Sequence, residues 1–538
     1  MRPLAMETLV TKTAEKPGSG TAKAAPQEVE LKLEVAADRM DELRAHPALA
    51  ALQDGFSSVE RLTTTYYDTQ DLILSRRGIA LRVRRIGDRF IQSVKGLAID
   101  EGAPALVAAK TELEWPIAGD WAELEPLRQS GLGDLLTDED FAALQRVFAS
   151  EIERTVVPIR FDAETTAEVA FDVGHVTAGS AQRAVAEIEI ELKSGSVGPL
   201  FALAGELHKA VPVRIATQGK AQLGLALLSG LPPAPHKAPP VIIDRHATVA
   251  QALLVIARSC VAHLLANEPS ALSQFEPEKG IHQMRVAVRR LRSALLLFRD
   301  LLPKEEYRWA AGESKWLAGE LGAARDWDVF VGDTLARAEK RKRLKPAVDA
   351  VALFAGEAQT QARETAAVAI RSPRYASFLL EFAAWLETGR WRAELDDKQN
   401  SSLDGPLLKL APKWLDRRYR KVTKAGKRLE RQSREERHEF RKKLKKLRYT
   451  AEFVNGLYPR KKTRGYLAAM SKLQDVLGES NDAAVGREML ARLSQSAGPS
   501  IEKPVADLLR WLDNRARKGF EKLPKRYAAL SDAAPFWT

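Results

Sequence analysis

The sequence predicts a multidomain α+β chain, with a β-rich domain closed into a barrel of about eight strands and an all-helical domain made of two copies of one unit. Three observations carry this reading. Apolar and polar residues alternate with period two through much of residues 27–227, which is the repeat of a strand. Five prolines fall in the ten residues from Leu231 to Pro240, and beyond them the apolar period becomes 3.6 and stays so. Then His282-x-x-Arg285-x-x-x-Arg289-Arg290-Leu291-Arg292 returns as His438-x-x-Arg441-x-x-x-Lys445-Lys446-Leu447-Arg448, each pair offset by 156. The same offset carries Leu321-Gly322-x-x-Arg325-Asp326 onto Leu477-Gly478-x-x-Asn481-Asp482, so two pseudo-symmetric halves are expected.

A chain of 538 residues is too long for a single core. The divisions expected are a disordered leader over 1–26, the β domain over 27–227, a proline-rich linker over 228–242 and the helical domain over 243–530. The helical repeats fall at about 243–390 and 400–530. Within the β domain, Gly78, Gly87, Gly102, Gly119 and Gly174 read as turn punctuation, and His175 as a turn residue. Helical interruptions are expected near Asp38–Leu52 and Trp121–Ala149. No apolar run approaches the roughly 18–20 residues of a membrane span, so no membrane partner is expected. The N-terminus has no secretory pattern. A lone cysteine, Cys260, excludes an internal disulfide and a Cys-based zinc site, and fits a reducing cytoplasm. Oligomeric state is not written in the sequence.

The charges of the β domain form two opposed sets. Lys32, Arg82, Arg84, Lys95, Arg154, Arg160 and Lys220 supply cations; Glu28, Glu30, Glu112, Glu114, Asp172, Glu187, Glu189 and Glu191 supply anions. Their apolar alternates, Val29 and Leu31, Leu81 and Val83, Ile188 and Ile190, would face outward if the charged faces converge inside a barrel. An eight-stranded barrel has room for side chains and one small ligand. Uncompensated buried charge costs several kcal/mol per group, so such a bore must be wet and ligand-filled. Carboxylates would hold Mg²⁺ or Mn²⁺, and the bases would grip phosphate oxygens. The alternative is a two-faced sheet whose charges simply meet solvent. No Ser-His-Asp order and no phosphate-cradling Gly loop is present, which leaves metal-activated water as the expected nucleophile.

In the helical part, His282, Arg285, Arg289 and Arg292 are spaced 3, 4 and 3 apart and share one helix face, and Arg290 lies beside it. His438, Arg441, Lys445 and Arg448 repeat that face, next to Lys446. From Lys413 to Arg448 there are 17 Lys/Arg against 5 Asp/Glu, an excess equal to the whole-chain net charge of +12. A stripe of this kind recruits a polyanion. Nucleic acid is the weaker candidate, because stacking aromatics are not interleaved with the basic residues. Asp326, Asp328 and Asp482 are expected to cap helices or pair with the arginines.

Glu28-Val29-Glu30-Leu31-Lys32 resembles the Glu-x-Glu-x-Lys signature of the CYTH superfamily, the triphosphate tunnel metalloenzymes. Further stretches follow in that family's order: Tyr66-Tyr67-Asp68-Thr69, Leu81-Arg82-Val83-Arg84, Gln92-Ser93-Val94-Lys95, Phe171-Asp172-Val173-Gly174 and Glu187 to Lys193. The family's closing Ser-Lys stands here as Gly219-Lys220, which leaves a serine contact in question. The resemblance implies a tunnel of eight antiparallel strands and hydrolysis or transfer on a triphosphate, above all inorganic triphosphate. It implies Glu28, Glu30 and Lys32 as catalytic, and Glu28, Glu30, Glu189 and Glu191 as metal ligands, with Asp172 and Glu187 as further ones. Lys32, Arg82, Arg84, Lys95, Arg154, Arg160 and Lys220 would hold the phosphates. The doubled basic motif resembles the CHAD domain, which implies two helical-bundle halves that bind inorganic polyphosphate through His282, Arg285, Arg289, Arg290, Arg292, His438, Arg441, Lys445, Lys446 and Arg448. Association with polyphosphate granules follows from that implication. Two rival readings remain: a non-catalytic polyphosphate receptor, and another tunnel chemistry on a nucleoside or thiamine triphosphate.

Overall fold

The structure, a computed structural model, describes residues 27–96, 107–129, 136–216, 218–427 and 429–538. The expected leader over 1–26 and Gly102 lie outside the described residues. Two compact units emerge: one runs to Pro233 and includes Pro373–Thr388, and the other comprises Ala234–Ser372 and Gly389–Thr538.

The first unit is built on one antiparallel sheet of β1 (Gln27–Glu34), β2 (Ser58–Asp68), β3 (Ile79–Ile86), β4 (Arg89–Gly96), β5 (Val107–Ile117), β6 (Gln145–Arg160), β7 (Thr166–Ala178), β8 (Ala181–Ser194) and β9 (Arg214–Ile215). β1 pairs with both β5 and β8, so the order β5-β4-β3-β2-β6-β7-β8-β1 closes into a ring. Closure removes the free edges that an open sheet would leave. The sheet has nine strands rather than eight because two-residue β9 takes over β1 at Leu33 and Glu34, beyond the end of the β5 pairing at Leu31.

Register sorts the side chains. Glu30, Lys32 and Glu34 lie opposite Glu191, Glu189 and Glu187, and Asp172 lies between Glu187 and Arg154. These residues share the inner face. Their alternates Leu31, Leu33, Phe171, Ile188 and Ile190 are wholly buried on the outside. A second outer cluster gathers Tyr67, Ile79, Leu81, Val83 and Val94.

Two helices went unread in the sequence: α1 (Gly198–Ala210) and α2 (Lys220–Ser229). On α2, Leu223 packs with inward-facing Leu62, Tyr66, Phe148, Ile152, Val176 and Val185, which closes one end of the bore. That approach needs glycine at 224, where a Cβ would stand 2.1 Å from the Phe148 ring. The expected helix over Trp121–Ala149 shrinks to Leu124–Gln129 and Asp138–Ala142, since β6 already starts at Gln145. Gly174 and His175 are not in a turn. Both sit inside β7, and a Cβ at Gly174 would lie 1.9 Å from the Glu151 carbonyl oxygen. The glycine marks a close backbone approach.

The second unit carries the repeat. Helices α3 (Val249–Leu265), α4 (Pro277–Phe298), α5 (Lys304–Val329) and α6 (Lys345–Arg371) form the first copy. After α7 (Pro373–Glu387), helices α8 (Leu407–Gly426), α9 (Arg434–Val454), α10 (Arg460–Ala497) and α11 (Glu502–Phe520) form the second. The intervening α7 packs with the first unit, where His208 of α1 contacts the Pro373 carbonyl at 3.0 Å. Contrary to the sequence reading, Val249–Ala271 is long and apolar enough, by length and composition, to cross a membrane. Here it is a core segment, with Leu253, Ile256, Cys260 and Leu264 at most 1% exposed.

Gly174→Ala should destabilise the protein by about 1–3 kcal/mol, because the β6 backbone cannot yield to a methyl group. Gly205→Ala, on α1 with open space around it, should be neutral or slightly stabilising. Thermal denaturation of the two variants side by side measures the contrast.

Candidate active site and polyanion cleft

Inside the bore, three cations and three carboxylates close on one another. Lys220, the first residue of α2, places Nζ 2.7 Å from Asp172, 2.7 Å from Glu187 and 3.0 Å from Glu189. Arg154 grips Asp172 through two bonds of 2.7 and 2.6 Å and reaches Glu189 at 2.6 Å. Lys32 donates to Glu189 and lies 3.3 Å from Glu30. Burial raises the pKa of Asp172 and Glu189, but Lys220 and Arg154 outweigh it and hold both below the ordinary carboxylate range, with Lys32 adding to the effect at Glu189. Against burial, Glu189 and Glu30 hold Lys32, and Glu189, Asp172 and Glu187 hold Lys220, above the ordinary lysine range.

A second group lines another part of the wall. Glu112 on β5 accepts from Arg82 and, at 2.6 Å, from Lys95. Ser93 accepts from Arg82 Nε at 2.7 Å, and Glu114 stands 3.8 Å from the same guanidinium. Arg84 differs from its neighbours: its Nε is buried without a hydrogen-bond partner among the described residues. Repulsion from Arg82, then burial and Arg154, lowers its pKa. Glu30 is 3% exposed and its Oε1 is equally unpartnered.

The structure thus brings Glu30, Lys32, Arg82, Arg84, Lys95, Arg154, Asp172, Glu187, Glu189 and Lys220 onto the inner wall. Glu191 faces the same way but pairs with Lys193 at 2.7 Å. Arg160 is not in the cluster; it is half-exposed and bound to Asp54 at 2.7 Å. Glu28 occupies its place in β1 opposite Lys110, and its side chain lies outside the described residues. Sequence reasoning passed over Glu34, Glu60, Glu168 and Ser93, whose register puts them on the same face. Period-two parity with Lys32 or Arg82 was the available signal.

The donor set suits a hard divalent cation. Asp172, Glu187 and Glu189 are all buried and offer oxygens within 4.8 Å of one another.

In the second unit the basic faces of the two copies meet. Arg289 of α4 donates to Tyr449 of α9 and lies over its ring. Lys445 is pushed down to about 7 by burial and by Arg441, Arg289 and Arg285. Arg285 pairs with Asp326 at 2.8 Å, and the equivalent Arg441 meets Asn481 at 3.2 Å. His282 is lowered to about 4 by burial and by Arg325, Arg289 and Arg285, so it is neutral at physiological pH. Five expected members lie elsewhere or are engaged. Arg290 is buried against Ser259 and the Phe453 ring. Lys446 is exposed on another side near Arg418 and Lys421. Arg448 is held by Glu452 and Gln474, and Arg292 is exposed. His438 is exposed beside Lys442 and Arg441. Gly322 and Gly478 are interior to α5 and α10, so the aspartates after them pair rather than cap.

Comparison with known proteins agrees with this division. The CYTH domain model matches residues 26–221 and the CHAD domain model residues 255–491. An inorganic triphosphatase of Haemophilus influenzae is 28% identical over 205 residues, covering 37% of this chain and 55% of that protein. An uncharacterised protein of Mycobacterium tuberculosis is 30% identical over 241 residues, covering 41% of this chain and 42% of its own. The chain therefore spans about half the length of the curated relatives it matches. Among solved structures, the CHAD domain of the plant Ricinus communis superposes with a TM-score of 0.49 at 30% identity, over 56% of this chain and 98% of its own.

Lys220→Met would strand Asp172, Glu187 and Glu189 in the bore with one fewer partner. It should cost about 3–5 kcal/mol of stability in chelator-treated protein, read by chemical denaturation. The depressed carboxylates also set an acid limit. Their contribution is fully present above about pH 5 and is lost as pH falls through their lowered native values, so the stability difference between wild type and Lys220→Met should shrink below pH 4.

Proposed function

Because this chain carries a CYTH domain followed by a CHAD domain, we propose that it hydrolyses inorganic triphosphate to diphosphate and phosphate, dependent on a divalent metal, and that its helical unit binds inorganic polyphosphate. One observation carries the catalytic reading. The bore holds acids and bases against one another, yet keeps one acid oxygen, Glu30 Oε1, and one guanidinium nitrogen, Arg84 Nε, buried without partners among the described residues. A structural salt-bridge network would use both.

Mg²⁺ or Mn²⁺ held by Glu30, Asp172, Glu187 and Glu189, with Glu28 and Glu191 as further ligands, would neutralise phosphate charge and lower the pKa of a bound water. The remaining chemistry belongs to the chain. Arg84 receives phosphate oxygens first, since no carboxylate of the described residues holds it. Lys32, Arg154 and Lys220 exchange carboxylate for phosphate and stabilise the charge that builds on the leaving diphosphate. Arg82 and Lys95 are kept in place by Glu112 and Ser93. Glu30 orients the attacking water; its oxygen bonds to the terminal phosphorus as the bridging bond breaks, and the water proton leaves with the products. The apolar cluster under α2 blocks one end, which keeps bulk water from that side.

For the helical unit, the support is repulsion. Arg285, Arg289, Arg441 and Lys445 crowd closely enough to depress Lys445, and an anion between them relieves that strain. The receptor reading of the whole chain gains from this cleft, but leaves the buried acids of the bore without a use.

Glu30→Gln should lower phosphate release from triphosphate about 10²–10³-fold while the fold persists, and Arg84→Ala should act mainly on KM. Wild-type turnover in both variants would remove the proposal. Affinity of the full chain for long polyphosphate should fall steeply with salt, and should weaken as pH rises from 6 to 8 because Lys445 loses its proton there. Arg289→Ala should flatten the salt dependence, and a fluorescence-anisotropy titration reads all three effects.

A further inference from the structure

Beyond the charges that close on one another, β8 carries another cation toward the open end of the bore. Glu187, Glu189, Glu191 and Lys193 follow one another along the strand with side-chain exposures of 3%, 9%, 30% and 39%. This gradient runs away from the end that α2 plugs. Alternate strand residues are about 6.5–7 Å apart, so Lys193 stands two such steps outside Glu189. A bulge interrupts the ladder there: Ala167 pairs with Leu192 and Thr166 with Ser194, which leaves Lys193 unpaired between them. Bulges at barrel rims re-aim a side chain. Here the ammonium turns back over the bore, 2.7 Å from Glu191 and 2.9 Å from Glu168, and both carboxylates occupy inward register positions.

We infer that Lys193 is a chain-length selector, which grips a phosphate of linear polyphosphates longer than three units. The inference rests on the triphosphatase reading of the bore. A chain anchored on Lys32, Arg154 and Lys220 has its further units on the rim side, because the apolar packing of α2 occupies the other end. The first cation such a unit meets along β8 is Lys193. Gripping it requires no bond to be made or broken; the ammonium exchanges two partly exposed carboxylates for phosphate oxygens. Glu168 and Glu191 hold the amine over the opening until then and repel a chain end that arrives without a cation.

A tether between β7 and β8 would use the same two ion pairs, so the test must separate selection from support. Full-length wild type, Lys193→Gln and Lys193→Arg are assayed for phosphate release from inorganic triphosphate and linear tetraphosphate with Mg²⁺. Lys193→Gln should lower the tetraphosphate-to-triphosphate ratio of kcat/KM about five- to tenfold, through KM for tetraphosphate, and Lys193→Arg should return it to within about twofold of wild type. An unchanged ratio, a loss of kcat shared by both substrates, or a wild type that refuses tetraphosphate would overturn the selector and leave the triphosphatase intact. A wild type that releases phosphate from neither substrate would overturn the activity itself, and the selector with it.

Discussion

The organising constraint of the first unit is charge balance in a closed space. Lys32, Arg154 and Lys220 face Asp172, Glu187 and Glu189, three against three, with little water to screen them. Moving any one of these groups out of solution alone would cost several kcal/mol. Together they are tolerable because each finds an opposite charge within about one hydrogen-bond length. The closed ring enforces this, since the only way for alternating strands to hide their outer apolar residues is to turn every charged alternate inward. The helix start at Lys220 completes the balance, which ties the end of the domain to its middle. A chain that stopped before α2 would leave three carboxylates facing two cations.

Much of this could be read from alternation alone. Glu30, Lys32, Arg82, Arg84, Asp172 and Glu189 stood out because charges at every second position accumulate on several strands, which a two-faced, solvated sheet does not require. What escaped was whatever depends on contacts rather than period. The two helices α1 and α2 lie among short apolar stretches that read equally well as strands. Gly174 looked like punctuation, yet serves a close backbone approach whose reason, the Glu151 carbonyl, lies on another strand. Arg160 shares the parity of Arg154 but sits three steps along β6, where Asp54 captures it. In the helical half the 156-residue offset set the helix order, and spacing identified the shared face. Spacing could not foresee that Arg290, one residue beyond Arg289, turns 100° into the core against Phe453. The apolar α3 was likewise passed over because its buried surroundings come from distant helices.

The helical cleft obeys the opposite rule. Its two basic faces meet with few acids between them, so Lys445 is driven toward neutrality and Arg441 downward as well. On the proposed reading, a polyanion entering this site would release the free energy stored in that repulsion. Asp326 and its equivalent Asp482 both stay close to the repeated arginines, whereas Arg325 of the first copy is replaced by Asn481 in the second. Arg285 pairs with Asp326, while Arg441 donates to Asn481 and feels the charge of Asp482.

These two electrostatic conditions imply two binding laws in one chain. Entry of an anion into a cleft of excess cations lowers the energy whatever accompanies it. Entry of a triphosphate into a balanced bore does not, since every phosphate oxygen that takes Lys220 or Arg154 releases a buried carboxylate, and that carboxylate must then find a cation of its own. Under the proposed activity, metal and substrate would bind the bore together, each raising the affinity of the other through the same salt bridges. The coupling needs no conformational change; exchange of partners among fixed side chains is enough.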